Sequence, residues 1–233
     1  LNPGENEIQI SDIRKSESGD TAVLYKEYEG GLSENYYILK VDETYSNIVR
    51  KELKGDCEMN ADEFLISPEG ELLVSLTSSS VGFFDSDGNL ISAENKNSRF
   101  KAEFFRTGSD YYEWYLSENG GTVIKKADFE THTFSDVCTL DFDITDAFDG
   151  YGDYDAVFSM YDGIYGYSFE SEKLTEIINW LDSDIVLPDY NCYVYPLNKD
   201  LMLTFESNFG YNEKDINNNI SCGGGTCELP QGE

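Results

Sequence analysis

The chain has 233 residues, 39% of them hydrophobic and 14% aromatic, enough to bury a core and too aromatic for an acidic disordered segment. Its 46 Asp and Glu against 16 Lys and Arg give a net charge of -30, which repels phosphate backbones and anionic lipid headgroups. Nucleic acid and membrane surfaces are therefore excluded as expected partners, and no run of 18 apolar residues offers a membrane span.

In chain order, the opening residues LNPGENEIQISD carry neither a basic n-region nor an apolar h-region, so a secretory signal is expected to be cleaved or to lie outside this sequence. EIQISDI, residues 7 to 13, is a first strand candidate. Then four copies of one pattern follow. A strand (AVLYKEY, ELLVSLT, YYEWYLS, AVFSM) leads to a Gly-bearing turn (Gly30-Gly31, Gly82 beside a Ser run, Gly120-Gly121, Asp162-Gly163). A second strand (YYILKVDET, SVGFFDSDG, TVIKKADFET, IYGYSFES) leads through a polar turn to a third (SNIVRKEL, NLISAE, THTFSDVCTL, EKLTEII).

Asp42, Asp85, Asp128 and Ser168 occupy equivalent places, 43, 43 and 40 residues apart. A period near 43 with three or four short strands per copy predicts an all-β β-propeller. A fifth copy begins at CYVYPLNKDLMLTFESNFGY, residues 192 to 211. Five blades are expected, with the N-terminal strand completing the last, or else a truncated piece of a larger propeller. A β-sandwich or other sheet stack is the competing architecture. EKLTEIINWLDSDI also fits an amphipathic helix, but its place in the repeat makes it a strand. Residues 1 to 213 are read as the propeller-like domain and 214 to 233, rich in Asn and Gly, as a tail or linker.

The run DGYGDYDAVFSMYDGIYGYSFESEKLTEIINWLDSDI, residues 149 to 185, resembles a segment of large surface lipoproteins of Gram-positive anaerobic bacteria. PLNKDLMLTFES is similar to the stretch that follows in that family. There a propeller-like N-terminal region precedes an extracellular solute-binding domain of the sugar-transporter type. The resemblance implies an extracellular, surface-anchored protein linked to carbohydrate uptake, and it implies no catalytic residue.

The chemistry on offer is narrow. The sequence has one histidine, His132, expected at a solvated turn, and no nucleophile elbow, P-loop or dinucleotide fingerprint. Asp141, Asp143, Asp146, Asp149, Asp153 and Asp155 crowd one segment, and a dense Asp loop with glycines suits calcium, though the spacing is not that of an EF-hand. No other cofactor is expected. Tyr111, Tyr112 and Trp114, with Tyr151 and Tyr154, could offer flat faces to a carbohydrate or protein ligand, or fill the space between blades. Strand alternation puts Tyr111, Glu113 and Tyr115 on one face and Tyr112 with Trp114 on the other, predicting one packed and one partly solvated face.

Of five cysteines only Cys222 and Cys227 are close in sequence, as a disulfide or two free thiols. The expected function is a binding module. The alternatives are a glycoside hydrolase with converging carboxylates and a passive spacer.

Overall fold

In a computed structural model, residues 7–16, 19–29, 33–150, 152–179, 192–198, 201–206 and 226–228 are described. All the elements they form are strands. The first sheet joins β1 (Glu7–Lys15), β2 (Thr21–Glu29), β3 (Ser33–Val41) and β4 (Ile48–Glu52). The second joins β5 (Phe64–Ile66), β6 (Leu72–Thr77), β7 (Ser80–Phe84) and β8 (Leu90–Asn95). The third joins β9 (Glu103–Thr107), β10 (Asp110–Leu116), β11 (Thr122–Asp128) and β12 (Thr133–Leu140). The fourth joins β13 (Asp146–Asp149), β14 (Ala156–Met160), β15 (Gly163–Ser168) and β16 (Lys173–Asn179). A fifth holds β17 (Cys192–Asn198), β18 (Leu201–Glu206) and β19 (Thr226–Glu228).

Each four-stranded sheet is a meander in chain order, antiparallel throughout. The chain divides into two compact units, one of Leu1–Phe105 with Ser109–Asp143, the other of Arg106–Gly108 with Ile144–Glu233. The repeat is thus borne out as four-stranded units. The strand missed in the second, third and fourth sheets was short: FLI, EFFRT and DAFD are three to five residues long and carry little periodicity.

The N-terminal strand corrects the expected closure. β1 does not complete the last sheet; it pairs with β2 from Glu7↔Tyr28 to Lys15↔Thr21. A five-residue turn makes that local pairing cheap in loop entropy. Ser16 N–H donates to the Asp20 carbonyl (2.8 Å) and Gly19 N–H to the Ser16 carbonyl (3.1 Å). Two further expectations shift. Gly82 is not a turn residue but lies in β7, the turn being Ser78-Ser79, and part of the stretch read as tail forms β19, paired to β18.

Burial follows position in the sheet. β6 (LLVSLT) is buried on both faces and so reads as an unbroken apolar run, whereas the outer strand β8 (LISAEN) alternates half-buried and exposed. The outer strands of sheets two to four each carry a bulge where the partner register skips Ile91, Val137 and Ile177. Such bulges add right-handed twist at the edge.

The aligned acidic position of the repeat has a plain structural use. It ends the third strand of a sheet and its carboxylate closes the turn into the fourth. Asp42 Oδ1 accepts from Ser46 N–H (2.8 Å), Asp85 Oδ1 from Asp87 and Asn89 N–H (2.9 and 2.8 Å), and Asp128 Oδ1 from Glu130 and Thr131 N–H (2.8 and 3.1 Å). Each of these turns, and that of the fourth sheet, also needs one left-handed residue: Tyr45, Gly88, His132 and Glu172, at φ of 57, 89, 53 and 52°.

In the first unit, two layers of core lie between successive sheets. Ala22, Leu24, Tyr36 and Ile38 of the first sheet pack on Phe64, Ile66, Leu72, Val74, Leu76 and Phe84 of the second. The other face of the second sheet, Leu65, Leu73, Val81 and Phe83, packs on Phe104, Tyr111, Tyr115 and Ala127 of the third. Burying each such side chain stabilises the stack by about 1.5 to 3 kcal/mol.

Candidate functional site

Among the described residues the buried charges, Lys96 and Glu113, lie at the second joint. Glu113, at the centre of β10 between Tyr111 and Tyr115, is 0% exposed. Strand alternation aims it at the second sheet, where the chain leaving β8 brings Lys96, whose side chain is 1% exposed. Lys96 Nζ lies 2.6 Å from Glu113 Oε1, 3.0 Å from Glu94 Oε1 and 3.8 Å from the centroid of Phe134. Glu94 Oε1 also accepts from Lys125 Nζ (3.1 Å), which is 3.6 Å from the exposed Asp136. Glu113 Oε2 has no hydrogen-bond partner among the described residues.

Burial pushes the Glu113 carboxyl up to about 7, against the pull of Lys96 toward the ionised form. Burial would raise Glu94 too, but there the Lys96 and Lys125 ammonium groups win and hold it low. Two carboxylates with separated affinities sharing a lysine is the pattern of a general acid and its partner. Here Glu113 is sealed between sheets, where a sugar cannot touch it.

The aromatic residues singled out in β10 are packed rather than presented. Tyr111, Tyr112 and Trp114 are 6%, 6% and 5% exposed, so both faces of YYEWY are buried and the partly solvated face is not found. Tyr112 stacks on Phe105 at 5.1 Å, and Tyr111 meets Phe129 edge-on at 5.0 Å. A central strand has a sheet on either side, which alternation alone does not reveal. Tyr154 is half-buried with its ring over the Gly166 backbone, where an added Cβ would meet it at 2.4 Å. Tyr151, Cys222 and the proposed pairing of Cys222 with Cys227 lie outside the described residues.

The aspartates of the calcium expectation go separate ways. Asp143 pairs with Arg99 (2.6 Å) and accepts from Gly121 N–H (2.9 Å). Asp149 accepts from Arg106 N–H (2.7 Å), Asp146 from Ala147 N–H (2.8 Å) and Asp155 from Phe169 N–H (2.7 Å). Asp141 and Asp153 are exposed. Among the described residues no three His, Cys, Asp or Glu side chains come together as a metal site. His132 is at the expected turn but only 24% exposed, with Nε2 3.3 Å from Glu71 and its ring edge-on to Phe83 at 5.7 Å.

Large exposed apolar groups among the described residues include Ile10, Ile13, Ile91, Phe100 and Tyr161, and three that follow one another closely from the β3–β4 turn into β4. Tyr45, Ile48 and Val49 are 75%, 63% and 36% exposed. No sequence signal marked them, because each is an ordinary strand or turn residue until the neighbouring sheets are placed.

No family model matches the sequence, and no curated protein matches it. Among solved structures the chain is similar to the Dos1 propeller, at 11% identity and a TM-score of 0.53, over 84% of this chain and 56% of that one. It is similar to a chain of the mitotic checkpoint complex (11%, TM-score 0.51, 85% and 60%). It is also similar to an oligogalacturonate lyase in complex with manganese (9%, TM-score 0.50, 89% and 72%). The chain spans about half the length of the first structures it matches, 54% to 56% of theirs. Likeness at this identity shows an all-β, propeller-like fold. Among the described residues no helix is long and apolar enough to cross a membrane.

Proposed function

We propose that the chain is an extracellular binding module of a bacterial surface protein, with its sheets as propeller blades and its ligand, a carbohydrate or a protein, held at the β3–β4 turn. The observation that carries this reading is Tyr45. The aligned turn of the second sheet fills its left-handed position with Gly88, which has no Cβ to strain. The third and fourth sheets place His132 and Glu172 there, and the first a tyrosine at φ 57°, 75% exposed, so what sets Tyr45 apart is an aromatic ring held out in solvent. Holding a non-glycine residue left-handed costs about 1 to 2 kcal/mol.

Tyr45 at the turn, with Ile48 and Val49 opening β4 after it, offers an exposed aromatic ring and aliphatic groups. A tyrosine face suits sugar rings and protein hot spots alike, and the net charge of -30 favours neutral or cationic ligands. The resemblance to surface lipoproteins of Gram-positive anaerobes supports the cell-surface placement and the link to carbohydrate uptake.

The test is an array of oligosaccharides and peptides probed with the chain and with Tyr45→Gly, which removes the ring and keeps the turn. A ligand bound by the wild type and weakened tenfold or more in the variant supports the reading. Equal binding by both, or none by the wild type, overturns it.

A further inference from the structure

The buried charge at the second joint has no part in ligand recognition at the β3–β4 turn, and its surroundings define a different role. We propose that the joint between the second and third sheets is a proton-operated latch, closed when Glu113 is neutral and loosened when it ionises.

The geometry that carries this is an ion pair shut inside a packed layer. Glu113 and Lys96 are 0% and 1% exposed in their side chains and face each other from different sheets. The charged groups that face the pair come from both sheets. The second sheet supplies Lys96 and Glu94; the third supplies Glu113 from β10, Lys125 from β11 and Asp136 from β12, with the Tyr115 hydroxyl beside Glu113 on its own strand. With all of them ionised, three carboxylates meet two ammonium groups.

Protonating Glu113 brings that balance to zero and leaves neither lysine alone, since Glu94 is within 3.0 Å of Lys96 and 3.1 Å of Lys125. Ionising it spreads charge over Oε1, 2.6 Å from Lys96, and Oε2, which stays enclosed and without a hydrogen bond among the described residues. Water reaches that oxygen only if the sheets part.

The sign follows from linkage. The folded chain holds the Glu113 proton up to about 7, whereas the unfolded chain releases it near 4.5. A folded state that binds the proton more tightly is stabilised at low pH, and it loses that stabilisation as pH rises from 4.5 through 7. His132 and Glu71 span the same joint at its turn end and must be separated from this effect.

The experiment is amide hydrogen exchange on the whole chain, expressed as protection relative to unstructured peptide, at pH 6 and pH 8.5. Protection of β8 and β10 is expected to fall roughly tenfold or more at the higher pH. It is expected to hold steady in Glu113→Gln and to fall as in the wild type in His132→Gln. The same loss in Glu113→Gln, or its disappearance in His132→Gln, overturns the proposal. Carbon-13 titration of the wild-type Glu113 carboxyl decides independently of any variant's folding: a midpoint near 7 supports the latch, and one in the ordinary carboxylate range overturns it.

Discussion

The two joints of the first unit are built from the same repeat and held by different physics. Between the first and second sheets the fully buried contact is hydrocarbon, Leu24 and Ile38 against Phe64, Val74, Leu76 and Phe84, each 0% or 1% exposed, while the ion pairs Arg14–Glu63 and Lys51–Asp87 lie at its partly exposed margin. Between the second and third, Phe83, Tyr111 and Tyr115 surround a carboxylate and an ammonium. The first joint answers to volume and the second to volume and protonation together. A repeat therefore specifies where sheets meet, while the individual side chains set what the meeting responds to.

Three substitutions sharpen that contrast, beginning with the largest effect. Phe84→Ala empties a fully buried site in the first joint and is expected to cost about 3 to 5 kcal/mol, equally at pH 5 and pH 8. Denaturant midpoints at the two pH values measure this. Lys96→Met removes the ammonium paired with Glu113 and leaves that carboxyl enclosed. The expected loss is about 3 to 5 kcal/mol at pH 8, where the carboxylate is charged, and markedly less at pH 5, where a proton neutralises it. If the two losses match, the buried pair is not the pH-sensitive element.

Gly88→Ala is smaller, at about 2 kcal/mol and independent of pH. Its φ of 89° is unfavourable for an L side chain, and the new Cβ would lie 2.4 Å from the Glu52 carbonyl oxygen. That turn is docked onto the chain leaving the first sheet, where Lys54 N–H donates to the Gly88 carbonyl at 2.8 Å. Thermal unfolding of this variant measures that cost.

The turn aspartates give the opposite pH response to Glu113. The Asn89 side-chain amide above all holds Asp85 below its usual value, and the Thr131 N–H above all does so for Asp128. Their contribution is present above the ordinary carboxylate range and is lost as pH falls through their lowered values. Acid thus loosens turns while it tightens the second joint.

Much of the fold was legible in the sequence because hairpins are local. Asp42, Asp85 and Asp128 fall at a fixed period since each closes the same turn with its own carboxylate, and strand, turn and strand follow from neighbours a few residues apart. What escaped were the short first strands, FLI, EFFRT and DAFD, whose pairing is decided by the strand after them. The partner of EIQISDI also escaped, because either sheet edge would accept its pattern. Site residues were less legible still. Tyr111, Tyr112 and Trp114 looked available and are buried; Tyr45 looked ordinary and is exposed; Glu113 drew notice only for its place in the alternation.

By itself, then, the sequence determined the strand class, the repeat and its turns, since φ preferences, alternation and Asp-closed turns act within a few residues. Tertiary structure alone decided which faces are covered, and with them the protonation of Glu113. Burial and dielectric are properties of what a neighbouring sheet brings, in this case Lys96 from β8's exit against β10, and no local pattern encodes them.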